Sequence, residues 1–473
     1  MNILEAFAAQ VAAHPERIAI VDAHGRPTSY AALDARAAAL AAAWHRQGLR
    51  SGDRVLLALP LNADLYAALA ALWRIGAAAI LPEPALGLFG LRHAVAAAAP
   101  RAVLASGLYR LLPLLVPALR RVPLRLRLQA AGGTHPIADR DPDAPALISF
   151  TSGSTGAPKA IVRSHGFLRA QDRAVAPLIA TGGRAEIDLV AFPVFVVANL
   201  GQGITSVLPN WPLRVPGRAK GAAIAAHAER HGVTRLLLSP AIAEALASTR
   251  LPRGAHTLFI GGGPVFPDLI AQVRARVPTI RMVSVYGSTE AEPIAHCDAD
   301  DVTDDDWTRM RTGGGLLAGR PAEAARVRIL RDEIVVAGGH VVSGYLDSAQ
   351  DPSTKSQDAD GTIWHRTGDA GRFDEQGRLW LRGRLDARAG GLWPFEVEAP
   401  ARLWQGVRRA ALAELAGEAV LAIEGDPAMR ATWAAAGQAL GVARIVPIPA
   451  MPMDRRHGSK IDQQALRRLL RQR

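Results

Sequence analysis

The apolar run Ala-Leu-Ile-Ser-Phe at 146–150 leads straight into Thr151-Ser152-Gly153-Ser154-Thr155-Gly156-Ala-Pro-Lys159, the stretch that most restricts how this chain can fold. Five residues of this kind, bounded by turn formers, read as a buried strand. Glycines let backbone N–H groups turn inward around an anion, hydroxyls add donors, and a terminal ammonium offsets phosphate charge. The chain holds four lysines, Lys159, Lys220, Lys355 and Lys460, among 55 basic residues. Against that arginine bias, a lysine at 159 marks a need for a compact ammonium rather than a guanidinium fork. Ser164 is placed to cap a helix just beyond, so the expected arrangement is strand, anion loop, helix. Pro158 precedes the lysine and no hydroxyl residue follows it, which separates this loop from the Gly-x-x-x-x-Gly-Lys-Ser/Thr type.

Residues 150–159 resemble the signature loop of the adenylate-forming superfamily, which includes acyl-CoA synthetases, peptide-synthetase adenylation domains and luciferases. Further elements similar to that family follow in order. After the strand-like Met282-Val-Ser-Val comes Tyr286-Gly287-Ser288-Thr289-Glu290. The resemblance implies an aromatic ring on adenine, a threonine hydroxyl at the α-phosphate and a carboxylate on Mg²⁺, a hard cation that takes oxygen ligands. Upstream, Gly261-Gly262-Gly263-Pro264 would admit the flat face of a base. His365-Arg-Thr-Gly-Asp369 is similar to the family's Thr-Gly-Asp box, whose aspartate holds the ribose hydroxyls. Gly383-Arg384-Leu-Asp386 resembles the family's domain junction, with Arg384 toward the ribose and Asp386 as hinge. Gly458-Ser-Lys460 stands where the family carries its catalytic lysine, which stabilises charge as a carboxylate attacks. Ala160 stands where the family has glycine.

The resemblance implies an α/β adenylate-forming fold. Its large N-terminal domain (1–383) would hold two doubly wound subdomains and a β-subdomain, and residues 384–473 would form a small, mobile α+β lid. The residues agree, since 473 of them exceed a single core. Short apolar strands such as 55–59 alternate with alanine-rich helical segments through 1–130. Strand-like runs at 189–192, 235–238 and 257–260 alternate with a helical pattern at 222–231, and 319–382 is rich in short strands and turns. Residues 131–145 read as a turn-rich connector.

The net charge of +12 raises nucleic acid or a membrane surface as partners. The arginines run through the whole length and no basic patch with interleaved aromatics is evident, so the charge reads as base-composition bias plus affinity for anionic substrates. Apolar stretches at 65–81 and from Leu111 are broken by Arg74 and by Pro113, Pro117, Arg120 and Arg121, and neither reads as a transmembrane helix. Cys297 is the single cysteine, which excludes an internal disulfide and reads as packing. The N-terminus has no basic start and apolar core of a signal peptide, so the expected compartment is the cytoplasm.

Substrate class is read from departures. The family's amino-acid enzymes place an aspartate after the phosphate loop, where residues 192–201 here offer apolar side chains and Asn199. A buried ammonium without a carboxylate would be costly, so an acid with an apolar tail fits better. Residues 202–209, 231–241 and 452–461 are similar to the β-lactone synthetases of bacterial long-chain olefin biosynthesis, in which a β-hydroxyl displaces AMP. His457 either places Lys460 or is a solvated loop residue. After Asp386 the family's Ile-Lys-x-x-Gly-x-Arg pattern is replaced by a shorter, lysine-free Ala-Arg-Ala-Gly390-Gly391, either a remade loop or a hairpin turn.

The expected activity is ATP- and Mg²⁺-dependent activation of a fatty or β-hydroxy acid to an acyl-adenylate, with release of pyrophosphate. The acyl group would pass to coenzyme A, to an acyl carrier protein or to its own hydroxyl. The alternatives are a non-catalytic adenylate-binding or scaffold protein, expected to have lost Lys460 or Glu290, and a nucleic-acid-binding protein. Trp211, Trp307 and Trp393 are candidates for the pocket wall. Oligomeric state and chain length of the acid are not readable.

Overall fold

The alternation of short apolar runs with amphipathic segments resolves into three sheets in the computed structural model, which describes all residues except 131, 152–157, 214–218, 455–457 and 473. Of the expected site, Ser152, Gly153, Ser154, Thr155 and Gly156 lie outside the described residues, as does His457.

The first sheet runs in the order Leu124–Leu126, Ala102–Ala105, Arg54–Ala58, Ala78–Leu81, Pro145–Thr151, Lys159–Ser164. Its first five strands are parallel and the last pair is antiparallel. The helix Ala63–Ile75 is buried along its length from Leu65, as expected of a helix enclosed on all sides. Its one buried charge, Arg74, pairs with Asp34. Gly76 ends it at φ 86°, in the left-handed region where a glycine carries no Cβ penalty. The apolar stretch at 65–81 is therefore a helix, a turn and a strand. Among the described residues no helix is long and apolar enough to cross a membrane.

The phosphate-loop expectation needs one correction. The helix does start after Ser164 as expected, but a strand, Lys159–Ser164, stands between the loop and that helix, antiparallel to Pro145–Thr151 with Thr151 opposite Lys159 in the ladder. In the strand Lys159–Ser164 burial alternates only from Ile161 on, with Ile161 and Arg163 buried and Val162 and Ser164 half-buried. The helix His165–Ile179 begins only after it, with the Ser164 hydroxyl accepting from Phe167 N at 3.1 Å.

The second sheet places Ile187–Val190, Arg235–Leu238, Thr257–Gly261 and Arg281–Ser288 in parallel, with apolar residues along them. Arg235 and Asp188, both fully enclosed, form a bidentate pair at 2.7 and 2.9 Å across neighbouring strands. This sheet continues into the strand-rich region through Ala291–Asp298 and Leu316–Pro321, paired at Ala295↔Pro321 and His296↔Arg320. The expected β-subdomain is thus hydrogen-bonded edge to edge with the second α/β layer. A third sheet, Val407–Leu415, Glu418–Gly425 and Arg444–Ile448, carries the helices Pro394–Ala401, Arg430–Ala439 and Gln463–Arg471 in a small C-terminal domain with apolar clusters of its own.

Candidate active site

A cavity of about 1360 Å³ lies where the three sheets meet. Its wall brings together Thr151, Lys159, Gly262, Gly263, Tyr286, Gly287, Ser288, Thr289, Glu290, Asp369, Arg384, Asp386 and Lys460 from across the chain. Gly261 ends its strand one step behind this wall, its Cβ position 3.3 Å from Val285 O.

At one end of the cavity, the buried Lys159 ammonium stands 5.0 Å from the centre of the Tyr345 ring. The Tyr345 hydroxyl donates to Glu290 Oε1 at 3.1 Å. Burial pushes the Glu290 carboxyl up, but His365, its backbone and Tyr345 hydrogen bonds and Lys355 outweigh burial and hold it below the usual carboxylate range. The chain on either side of Glu290 is fixed, since Arg163 donates to Thr289 O at 2.9 Å and Val342 N donates to Glu290 O at 2.8 Å. Lys355 donates to Val342 O and lies 3.4 Å from His365 Nδ1. Burial lowers Lys355 to about 8, and burial with the Lys355 charge lowers His365 to about 4, which leaves the imidazole neutral near pH 7. Sequence reasoning missed Tyr345, Lys355 and His365. Scarcity of lysine was the available signal for Lys355, and nothing local marked Tyr345.

Elsewhere on the cavity wall, Asp369 accepts from Tyr286 Oη at 2.8 Å and from Arg384 Nη1 at 3.1 Å. Tyr286, Asp369 and Arg384 thus form one cluster, and a carboxylate with about four acceptor sites has capacity left for a ligand's hydroxyls. The buried Ser149 and Ser288 hydroxyls line the cavity with no partner among the described residues, unmet hydrogen-bonding capacity of the kind a polar ligand satisfies.

Lys460 arrives from the small domain. Asp454 Oδ1 accepts from the backbone N–H groups of Ser459 and Lys460, both at 2.9 Å, and Asp454 N donates to Lys460 O at 2.8 Å. Arg402 anchors that domain to the large one, contacting Asp268 at 2.8 Å and Glu244 at 3.0 Å, and Arg409 meets Glu244 at 2.9 Å. Asp386 lies in the turn Leu385–Ala387, its backbone carbonyl accepting from Arg467 at 3.0 Å. Gly390 and Gly391 make a tight turn closed by the bridge Ala389↔Leu392.

The other end of the cavity is apolar. Phe192, Pro193, Val194, Phe195 and Val197 line it, with Leu57, Leu59, Leu65, Leu88 and Leu112. Asn199 is not part of it, since its amide is buried against Asp188 and Ser206 at 3.1 Å each. Of the candidate tryptophans Trp211 lines the cavity. Trp307 packs on the cluster around Phe266 and Trp380, and Trp393 lies beneath Arg382 and Arg388. Cys297 is buried, and burial pushes its thiol up to about 12, which fits a packing role.

Three sheets meeting at one cavity, with Lys460 of the small C-terminal domain on its wall, are the arrangement of an adenylate-forming enzyme. Residues 7–346 match the AMP-binding enzyme family, and the chain belongs to it. It is 29% identical to the olefin beta-lactone synthetase of Xanthomonas campestris pv. campestris, over 93% of this chain and 90% of that protein. Its identity to the olefin beta-lactone synthetase of Stenotrophomonas maltophilia is 30%, over 92% and 90%. In fold it is similar to the o-succinylbenzoate coenzyme A synthetase of Bacillus subtilis solved in complex with ATP and magnesium ion, with a TM-score of 0.77 at 20% identity over 98% of each chain. The protein is an ATP-dependent enzyme that adenylates a carboxylic acid.

Proposed function

We propose that the substrate is a β-hydroxy acid with a long apolar tail, and that its own hydroxyl closes a β-lactone after adenylation. The observation that carries this reading is the set of apolar side chains, Phe192, Phe195, Leu57, Leu65 and Leu112 among them, that line the same cavity as Lys159 and Lys460. Similarity to two olefin beta-lactone synthetases over more than nine-tenths of the chain supports the same class. The lysine-free turn at Gly390 and Gly391 supports an acceptor within the substrate over a thiol.

In this assignment Thr151, Ser152, Gly153, Ser154, Thr155, Gly156 and Lys159 hold the phosphates. Gly261, Gly262, Gly263, Tyr286, Gly287 and Ser288 flank the base, and Asp369 with Arg384 takes the ribose. Glu290 fits a magnesium ion, which keeps phosphate and water oxygens and needs only one or two carboxylates. Among the described residues no group of three or more His, Cys, Asp or Glu forms a metal cage, in keeping with such a shared site. The ion, when bound, offsets the charge on the phosphate oxygens.

The acid's carboxylate oxygen attacks the α-phosphorus, the bond to the bridging oxygen breaks, and pyrophosphate leaves. Thr289 and the Lys460 ammonium stabilise the charge that builds on the α-phosphate. The β-hydroxyl oxygen then attacks the acyl carbon, its proton leaves to solvent, and AMP departs. The chain divides at 383/384, and rotation of the small domain about Asp386 withdraws Lys460 for the second step.

The test is pyrophosphate release across fatty, β-hydroxy, aryl and amino acids, with and without coenzyme A, products identified by mass spectrometry. Release with a β-hydroxy acid alone, and a product one water lighter than the acid, is expected. A coenzyme A thioester as sole product returns the enzyme to the acyl-CoA ligases. An adenylate that accumulates until a carrier protein is supplied assigns the acceptor to that carrier.

A further inference from the structure

Between Glu83 and Asp139 the chain has seven arginines and not one acidic residue, so this stretch contributes +7 of the net +12. The arginines run through the whole chain, but only here are so many left unopposed. The same segment holds six of the ten exposed large hydrophobics among the described residues: Leu88, Phe89, Leu108, Leu111, Leu114 and Leu115. Leu108 is 85% exposed, Leu114 65% and Phe89 62%, values at which a side chain gains almost nothing from the fold. A monomer rarely displays so much apolar surface in one place without a partner for it.

The two kinds of side chain are interleaved. Arg92 donates to Leu115 O at 3.1 Å and Arg120 to Pro113 O at 3.0 Å, which holds both guanidiniums against the leucine-bearing backbone. Arg110 sits between Leu108 and Leu111 on one short helical turn, and Arg121 closes the next. The helix Gly87–Ala98 and the turns Gly107–Leu111, Leu112–Leu115 and Pro117–Arg121 pack against one another, so the patch is one surface. On its inner side Leu88, Leu91, Tyr109 and Leu112 line the apolar end of the active-site cavity.

We propose that this face docks on an anionic lipid bilayer, the leucines and Phe89 entering the interface while the arginines meet lipid phosphates. Scattered apolar tips ringed by cations fit a fluid, negatively charged surface. A protein partner would be met by a contiguous groove, whereas these side chains project from the start of one helix and from short helical turns. The cavity's apolar end lies directly beneath the docked face. A lipid-borne acid therefore enters tail-last from the bilayer; this last clause rests on the function proposed above, and the docking itself does not.

The experiment is co-sedimentation of the full chain with vesicles of phosphatidylcholine alone and of phosphatidylcholine mixed equally with phosphatidylglycerol, at low and high salt. The protein is expected to sediment with the mixed vesicles, less so in high salt, and to stay largely in solution with the neutral ones. Arg110→Glu with Arg121→Glu is expected to weaken partitioning by about twentyfold or more, roughly fivefold for each arginine lost from an anionic surface. Leu108→Ser with Leu114→Ser is expected to weaken it comparably. None of these residues lines the cavity, so pyrophosphate release with a short soluble acid and the unfolding temperature should be unchanged. That control separates a failure of docking from a failure of the catalytic reading. Absence of vesicle binding, equal binding to neutral and anionic vesicles, or binding that survives both double variants overturns the proposal. Sedimentation without vesicles that the same variants abolish assigns the face to self-association and also overturns it.

Discussion

The backbone N–H of Ala241 donates a 3.1 Å hydrogen bond to Ser459 Oγ. Ala241 is the second residue of the helix Pro240–Ala247, whose own N-cap, Ser239, makes no side-chain capping bond. A helix in the large domain is therefore capped by the loop of the small domain that carries Lys460. One orphan donor is satisfied only while the lid is docked.

Gly263 is packed against the same loop, and a Cβ there would stand 2.7 Å from Ser459 Cβ. Gly263→Ala is expected to push the loop off and cut ATP–pyrophosphate exchange at least tenfold with no change in unfolding temperature. Ser459→Ala, which removes one cap worth about 1 kcal/mol, is expected to cost roughly fivefold in the same assay. Full exchange activity in both variants would mean that docking of this loop does not limit adenylation.

Lys460→Ala is expected to lower exchange by about 10²–10³-fold, the range for a group that stabilises developing charge. Lys460 is exposed, so the unfolding temperature should hold. Consumption of a chemically prepared acyl-adenylate should be nearly unaffected, and a parallel loss there would place Lys460 in both steps.

Glu398 is buried in the small domain, accepting from Leu412 N at 2.9 Å. Burial pushes its carboxyl from the ordinary 4.5 up to about 7, against the Leu412 N–H and the Arg402 charge. The folded state therefore holds the proton more tightly than the unfolded one. The resulting stability is fully present below about pH 4.5 and is lost as pH rises through about 7, a change of ~3 kcal/mol. Denaturant unfolding of the small-domain transition should show this slope, and Glu398→Gln should flatten it. A wild-type profile as flat as the variant's counts against a protonated Glu398.

Arg235→Met should destabilise by about 3–5 kcal/mol, because Asp188 keeps a buried charge with the Asn199 amide as its remaining side-chain partner among the described residues. Adding Asp188→Leu should restore part of the loss, measured as a shift in denaturation midpoint. Additive losses would show that the pair's geometry, rather than its charge, holds the strands.

The order of the layers was legible because each apolar run carries its own period. Arg235–Leu238 matches its strand end to end, and Ala222 to His231 is displaced by one residue from the helix Gly221–Arg230. The hairpin at Lys159 was misjudged, because a cap at Ser164 says where a helix starts and nothing about the six residues before it. Lys159, Tyr286, Asp369 and Lys460, singled out by motif, lie together on the wall of one cavity. Tyr345 and the Arg402 anchor on Glu244 and Asp268 were not singled out, since contacts across more than 100 residues leave no local pattern. Asn199 sat in a segment expected to face substrate, but helix phase turns it to Asp188.

The edge-to-edge joining of the second α/β layer to the strand-rich region has a mechanical consequence. Tyr286 and Asp369 ride on one continuous ladder, whereas Thr151 and Lys159 belong to the separate first sheet. The two are stitched at Ile161↔Tyr345 and by Leu346 N to Ala160 O at 2.9 Å. On the assignment proposed, a triphosphate nucleotide rivets two plates together, while AMP grips only one. ATP should then stiffen the seam against hydrogen exchange at residues 160–162 and 345–346, and AMP should leave it as loose as in the free protein.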